Sequence, residues 1–168
     1  SIGRAFKGDM LGIWGYGKIG QRIAKFAKAF DMNVLVWGRT ASLEKALDDG
    51  HRVASSKAEF FAQSDIVSLH LRLNEATRHI VKASDLAQMK PSALLVNTSR
   101  AELIEHGALL RALELGRPGF AALDVFEQEP IHPQDPLLHH DNVVATPHLG
   151  YVEQKGYEPV SYTHLTLP

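Results

Sequence analysis

Three glycines at fixed spacing, Gly15, Gly17 and Gly20, sit inside Gly12-Ile13-Trp14-Gly15-Tyr16-Gly17-Lys18-Ile19-Gly20 and limit the possible fold more than any other feature of the chain. Residues 10–14, entering this stretch, have the length and apolar character of a buried strand, and residues 19–30, leaving it, space their apolar side chains as a helix does. The order is therefore strand, glycine-rich turn, helix. Gly15 allows a sharp turn, Gly17 removes a Cβ where a pyrophosphate must approach backbone, and Gly20 lets the helix lie close to the strand. The helix then presents free N–H groups and its positive dipole end to a diphosphate. An ordinary tight turn can carry the same glycines; the flanking strand and helix are what point to dinucleotide binding.

Residues 33–37, Asn-Val-Leu-Val-Trp, read as a second buried strand that closes a βαβ unit. In NAD-binding units an Asp or Glu about 20 residues beyond the glycines takes the ribose 2′-hydroxyl. Here the strand runs into Gly38-Arg39-Thr40, with no carboxylate. Arg39 is suited to pairing with a 2′-phosphate or stacking on adenine, and Thr40 to donating to the same phosphate, so the site leans toward NADP(H). A plain solvated arginine is the competing reading of Arg39.

Further along, residues 42–49 read as a short capped helix, 52–55 as a short strand, 57–63 as a helix and 66–71 as a fourth strand. Residues 77–88 carry a helix or two, 93–97 a fifth buried strand, and 104–115 a helix stopped by Gly116 with Pro118 beyond it. Residues 119–125 and 142–145 supply strands six and seven. Strands alternating with helices predict an α/β fold, a doubly wound parallel sheet of about seven strands in one domain. At 168 residues and 45% hydrophobic, the chain can bury one good core.

The composition excludes several classes of function. Eighteen basic and nineteen acidic residues leave a net charge of −1 with no basic cluster, so nothing favours nucleic acid or a membrane surface. With no cysteine there are no disulfides and no thiolate metal sites, and no pair of histidines and carboxylates shows metal-ligand spacing. No apolar run approaches the roughly 20 residues that span a bilayer, and residues 1–9 lack the order of a signal peptide. A cytoplasmic protein is expected.

Ligands of open parallel sheets gather beyond the carboxyl ends of the strands. Arg100, Asp124, Glu129 and His148 all fall at or just past such ends. An arginine fork can bind both oxygens of a substrate carboxylate, and a histidine backed by a carboxylate can exchange a proton near neutral pH. Together they describe hydride transfer to a 2-keto acid: Arg100 holds the carboxylate and polarises the carbonyl, while His148, backed by Glu129, protonates the new alkoxide. Asp124, ending a buried run, needs partners, and a nicotinamide carboxamide is one candidate. Each residue also has a plain reading: Arg100 paired with Glu102, Glu129 as a solvated loop carboxylate, His148 as one of nine histidines. His139 and His140, at a helix end and loop, are assigned no role.

Gly12 to Gly20, Val96-Asn97-Thr98-Ser99-Arg100, Leu123-Asp124-Val125-Phe126-Glu127-Gln128-Glu129-Pro130 and Thr146-Pro147-His148-Leu149-Gly150 resemble, in order and spacing, the successive signatures of the D-isomer-specific 2-hydroxyacid dehydrogenases. That family includes phosphoglycerate dehydrogenases, glyoxylate/hydroxypyruvate reductases and D-lactate dehydrogenases. The resemblance implies a Rossmann NAD(P)-binding domain over residues 1–158 and a catalytic trio of Arg100, Glu129 and His148. Glu129 rather than Glu127 is implied because it directly precedes Pro130. The resemblance adds Lys18 and Ile19 to the cofactor contacts read from the residues, so the expected set runs through the turn from Gly15, Tyr16 and Gly17 to Gly20, then Gly38, Arg39, Thr40 and Leu71. Thr98, Ser99, Arg100, Asp124, His148 and Gly150 complete that set. Gly38 stands where NAD-using members place their ribose-binding Asp, so NADP or dual use is expected.

The resemblance also implies what is missing. In the family the cofactor domain is inserted into a substrate domain, and neither of that domain's segments is present here, so the chain reads as a fragment, inactive by itself. It begins without methionine, and residues 159–168 resemble the translation of a sequencing-library adapter rather than a native tail. A small 2-keto or 2-hydroxy acid substrate and a homodimer are expected of the full-length protein. The competing reading is a dinucleotide-sensing module, since transcriptional corepressors share the fold and much of the motif set.

Overall fold

Alternate residues of the central strands enter two separate cores. In β1 (Met10–Trp14), Leu11 and Ile13 pack with Ala24, Ala27 and Ala46, whereas Trp14 packs with Phe60 and Phe61. In β2 (Asn33–Trp37), Val34 and Val36 join the first core and Leu35 the second. Strands that bury both faces are apolar almost throughout, as these sequences are. The computed structural model describes residues 5–150; the tail from residue 159 lies outside them.

Seven strands form one parallel sheet in the order β3-β2-β1-β4-β5-β6-β7, where β3 is Arg52–Val53, β4 Ile66–Leu69, β5 Leu94–Asn97, β6 Phe120–Leu123 and β7 Val143–Ala145. This is the expected Rossmann-type sheet. Helices α1 (Lys18–Ala29) and α2 (Thr40–Asp48) supply the first core. Helices α3 (Lys57–Gln63), α4 (Ala83–Leu86) and α5 (Ala108–Glu114) supply the second. There Trp14, Phe60 and Phe61 meet edge to face with centroids 5.4–6.1 Å apart, contacts worth about 0.5–1.5 kcal/mol each beyond their buried area.

Residues 77–88, where a helix or two is expected, hold one, the four-residue α4. Three local expectations are corrected. The helix expected over 104–115 is shorter, because Ile104 is drawn into a parallel bridge with Val81 and Gly107, at φ +66, resets the chain before α5. Helix α2 starts at Thr40 rather than at residue 42, with Arg39 as N-cap and no side-chain cap bond. The fourth strand stops at Leu69, which leaves His70 and Leu71 on the rim beyond it.

Candidate functional site

Strand order runs outward in both directions from β1, and a crevice opens beyond the carboxyl ends of β1, β2 and β4. Its volume is about 600 Å³. Gly15, Tyr16 and Gly17 form one wall, Gly38, Arg39 and Ser42 a second, and His70, Leu71 and Arg72 a third. Gly15 is at φ +99, and a Cβ there would lie 2.4 Å from the His70 carbonyl oxygen; at Gly20 it would lie 2.2 Å from the carbonyl oxygen of Gly15. Those two positions weld turn, strand and helix together. At Gly17, by contrast, a Cβ would meet nothing within 4 Å. Gly17 is also the N-cap of α1 and offers no side chain to cap it, so the helix start and the bare backbone beside it form a cradle for an anion. Lys18 and Ile19 open that helix and are exposed.

Tyr16 enters this site differently from its neighbours. Its ring is buried, 4% exposed, edge-on to His51, and its hydroxyl donates to Asp49 at 3.0 Å. Burial, followed by that bond, pushes its pKa up to about 12, so the main chain is what Tyr16 offers to the crevice. Gly38 lies against α2, where a Cβ would sit 3.3 Å from that of Ser42. Arg39 and Thr40 are exposed at the start of α2. No carboxylate is among the described residues lining the crevice, whose formal charges are Arg39 and Arg72.

Two polar residues of the crevice lining, Arg72 and His70, and one beside the second group, Asn97, escaped the sequence reading. Arg72 stands just beyond β4, where the strand-end rule that singled out Arg100 would have found it. His70 has its Nε2 2.9 Å from the Ser68 hydroxyl, and burial pulls its pKa down to about 4, which keeps the ring neutral. Asn97, a buried polar residue ending β5, shapes the next turn: its Oδ1 accepts from Ser99 N at 3.1 Å and its Nδ2 donates to the Arg100 carbonyl at 2.9 Å.

A second group gathers beyond β5, β6 and β7. Ser99 is tied back to the Leu69 carbonyl through its hydroxyl at 2.7 Å, leaving Thr98 and Arg100 exposed. The Arg100 guanidinium donates to the Ser99 carbonyl at 2.6 Å, rather than pairing with Glu102. His148 Nδ1 lies 2.7 Å from Glu129 Oε2, and the other Glu129 oxygen accepts from Phe126 N at 3.0 Å. The bond to His148 and that from Phe126, with the nearby charges of His148 and Arg100, hold the Glu129 carboxyl below its usual pKa. Glu127 is engaged elsewhere, 2.6 Å from His106 Nδ1.

Asp124 is 5% exposed and accepts from the Thr146 hydroxyl, from Leu149 N at 2.7 Å and from Gly150 N at 2.8 Å. Although burial opposes it, those three bonds keep its pKa below the usual carboxylate value. Arg100, Asp124, Glu129 and His148 are thus brought together, while Gly38, Arg39 and Leu71 line the crevice beside the glycine turn and Thr40 opens α2 outside that lining. Chemically, the second group offers an exposed cation for an anionic substrate group and an imidazole held at Nδ1 by a carboxylate, a pairing suited to exchanging a proton. Among the described residues no three His, Asp or Glu side chains form a metal-binding group, and no helix is long and apolar enough to cross a membrane.

Residues 1–150 match the D-isomer specific 2-hydroxyacid dehydrogenase, NAD binding domain. A glyoxylate reductase of Aeropyrum pernix is 43% identical over 149 residues, spanning 88% of this chain and 44% of its own. A D-3-phosphoglycerate dehydrogenase-type oxidoreductase of Ralstonia solanacearum superposes with a TM-score of 0.91 at 58% identity, covering 94% of this chain and 46% of its own. An NADPH-dependent glyoxylate/hydroxypyruvate reductase of Sinorhizobium meliloti superposes at 0.79 with 27% identity, covering 94% of this chain and 62% of its own. The chain spans about half the length of the first two relatives.

Proposed function

From the premise that this chain belongs to the D-isomer-specific 2-hydroxyacid dehydrogenase family as its NAD-binding domain, we propose that residues 1–158 are the cofactor domain of an NAD(P)H-dependent oxidoreductase. The full-length enzyme reversibly reduces a small 2-keto acid to the D-2-hydroxy acid. One observation carries this reading: His148 is held through Nδ1 by Glu129 at 2.7 Å, on the same strand-end surface as the exposed Arg100.

In this reading the cradle at Gly15, Gly17 and Gly20 and the start of α1 at Lys18 and Ile19 hold the diphosphate, and Leu71, Thr98 and Ser99 border the rest of the nucleotide. Bound there, the nicotinamide supplies the hydride. Arg100 binds the substrate carboxylate in a two-oxygen fork and polarises the adjacent carbonyl. As the carbonyl carbon gains hydride, its oxygen takes a proton from His148, and Glu129 stabilises the proton-bearing imidazole before transfer and fixes its tautomer. The crevice favours NADP(H): its described lining carries Arg39 and Arg72 and no carboxylate, and the Sinorhizobium relative is NADPH-dependent. The rest of the protein supplies the wall that selects the substrate side chain, and the enzyme is a homodimer. The test is NAD(P)H oxidation by the full-length protein with glyoxylate and larger 2-keto acids. Turnover supports the reading; nucleotide binding without turnover on any keto acid favours the sensing module.

A further inference from the structure

His148 has a left-handed backbone, φ +54. Such a conformation is uncommon for a residue with a side chain and persists where the surroundings over-determine it. Those surroundings are unusually explicit. Upstream, Thr146 N donates to the Leu123 carbonyl at 2.9 Å, and the Thr146 carbonyl accepts from His148 N at 3.0 Å. On both sides of His148 the chain is fastened to a single side chain: Asp124 Oδ1 takes the Thr146 hydroxyl and Leu149 N, and Oδ2 takes Gly150 N. Asp124 is itself fixed, since its N donates to the Asn97 carbonyl at 3.1 Å, and the Asn97 side chain shapes the turn that carries Arg100.

We propose that Asp124 and Thr146 are positioning residues: their clamp on residues 146–150 aims His148 at Glu129, and Asn97 couples that clamp to the Arg100 turn. This positioning role of Asp124 is exerted through His148. Three of the roughly four acceptor positions of a carboxylate are already used by the loop. The proposal rests on the dehydrogenase reading for its effect on turnover, but not for its effect on the loop.

The experiment uses the full-length protein with Thr146→Val, Thr146→Ser and Asp124→Asn. Valine keeps the shape of threonine and removes the hydroxyl donor; serine restores it. The clamp predicts that Thr146→Val lowers kcat at saturating NAD(P)H by about tenfold or more, because small misplacements of a catalytic group are costly. Nucleotide Kd should stay within about threefold of wild type, since the clamp acts on His148 and not on the cofactor. Thr146→Ser recovers most of the loss, and Asp124→Asn, which turns an N–H toward loop donors, exceeds that of Thr146→Val. Wild-type kcat in Thr146→Val, loss without rescue by serine, or an Asp124→Asn effect confined to nucleotide Kd would overturn the proposal. Should Asp124→Asn fail to fold, the valine and serine pair decides. If the wild-type protein turns over no keto acid, the dehydrogenase reading has failed on its own. Amide hydrogen exchange at Leu149 and Gly150 then tests the clamp: faster exchange in Thr146→Val supports it, and unchanged exchange overturns it.

Discussion

Nδ1 of His148 lies 2.7 Å from Glu129, whereas Glu127, two residues earlier in the same loop, lies 2.6 Å from Nδ1 of His106. Two chemically identical side chains therefore serve two different histidines, and of the two carboxylates Glu129 is the one whose pKa the Arg100 charge helps to lower. Substituting Glu129→Gln in the full-length protein should lower kcat by roughly a hundredfold, within the range for a disabled acid–base pair. Glu127→Gln, which touches only an exposed histidine, should stay within about twofold of wild type. Steady-state kinetics of the two variants side by side checks the assignment; equal losses would contradict it.

Arg39 is the charged residue at the head of α2 on the crevice wall. If it meets a 2′-phosphate, Arg39→Ala removes a charge-assisted contact worth about 1.5–3 kcal/mol, or roughly ten- to a hundredfold in the ratio of NADPH to NADH affinity. Fluorescence titration with both nucleotides measures that ratio. An unchanged ratio would show that Arg39 does not read the phosphate.

The glycines of the turn should separate binding from stability. Gly17→Ala places a methyl in open space at the cradle, so it should weaken nucleotide binding while leaving the melting temperature nearly unchanged. Gly15→Ala adds a Cβ 2.4 Å from the His70 carbonyl at φ +99, and Gly20→Ala adds one 2.2 Å from the Gly15 carbonyl. Both should lower stability, by about 2 kcal/mol or more. Thermal melts with and without nucleotide distinguish the two classes.

His70 gives a pH dependence. Its folded pKa is depressed from 6.5 to about 4 by burial, so between those values the unfolded chain binds a proton that the folded one refuses. Stability from this group is intact above about pH 6.5 and is lost as pH falls toward 4, by about 3 kcal/mol in all. Urea midpoints for wild type and His70→Asn across that window should converge as pH drops. A constant gap would mean that His70 is not held neutral.

Much of the sheet was legible because parallel strands buried on both faces appear as short apolar runs, and residues 10–14, 33–37 and 66–69 stand out on that ground. What failed was helix extent. Residues 104–107 continue the apolar spacing of α5, yet Ile104 is committed to a bridge with Val81, a pairing 23 residues apart that no local period reveals. The site was legible as strand ends, which brought Arg100, Asp124 and His148 into view. The choice of Glu129 over Glu127 came from family likeness and not from spacing. The partners of Asp124 and the lining role of Arg72 depend on how separate loops meet in space, and the local sequence carries no signal for that.

The central claim is that this domain positions a histidine to protonate a reduced keto acid. It is tested most directly by the keto-acid-dependent loss of NAD(P)H absorbance in the full-length protein and in its His148→Ala variant. Turnover by wild type that falls by about a thousandfold in the variant, with nucleotide affinity retained, is the predicted result. Turnover that survives in His148→Ala, or a wild type that binds nucleotide and reduces no 2-keto acid, would contradict it.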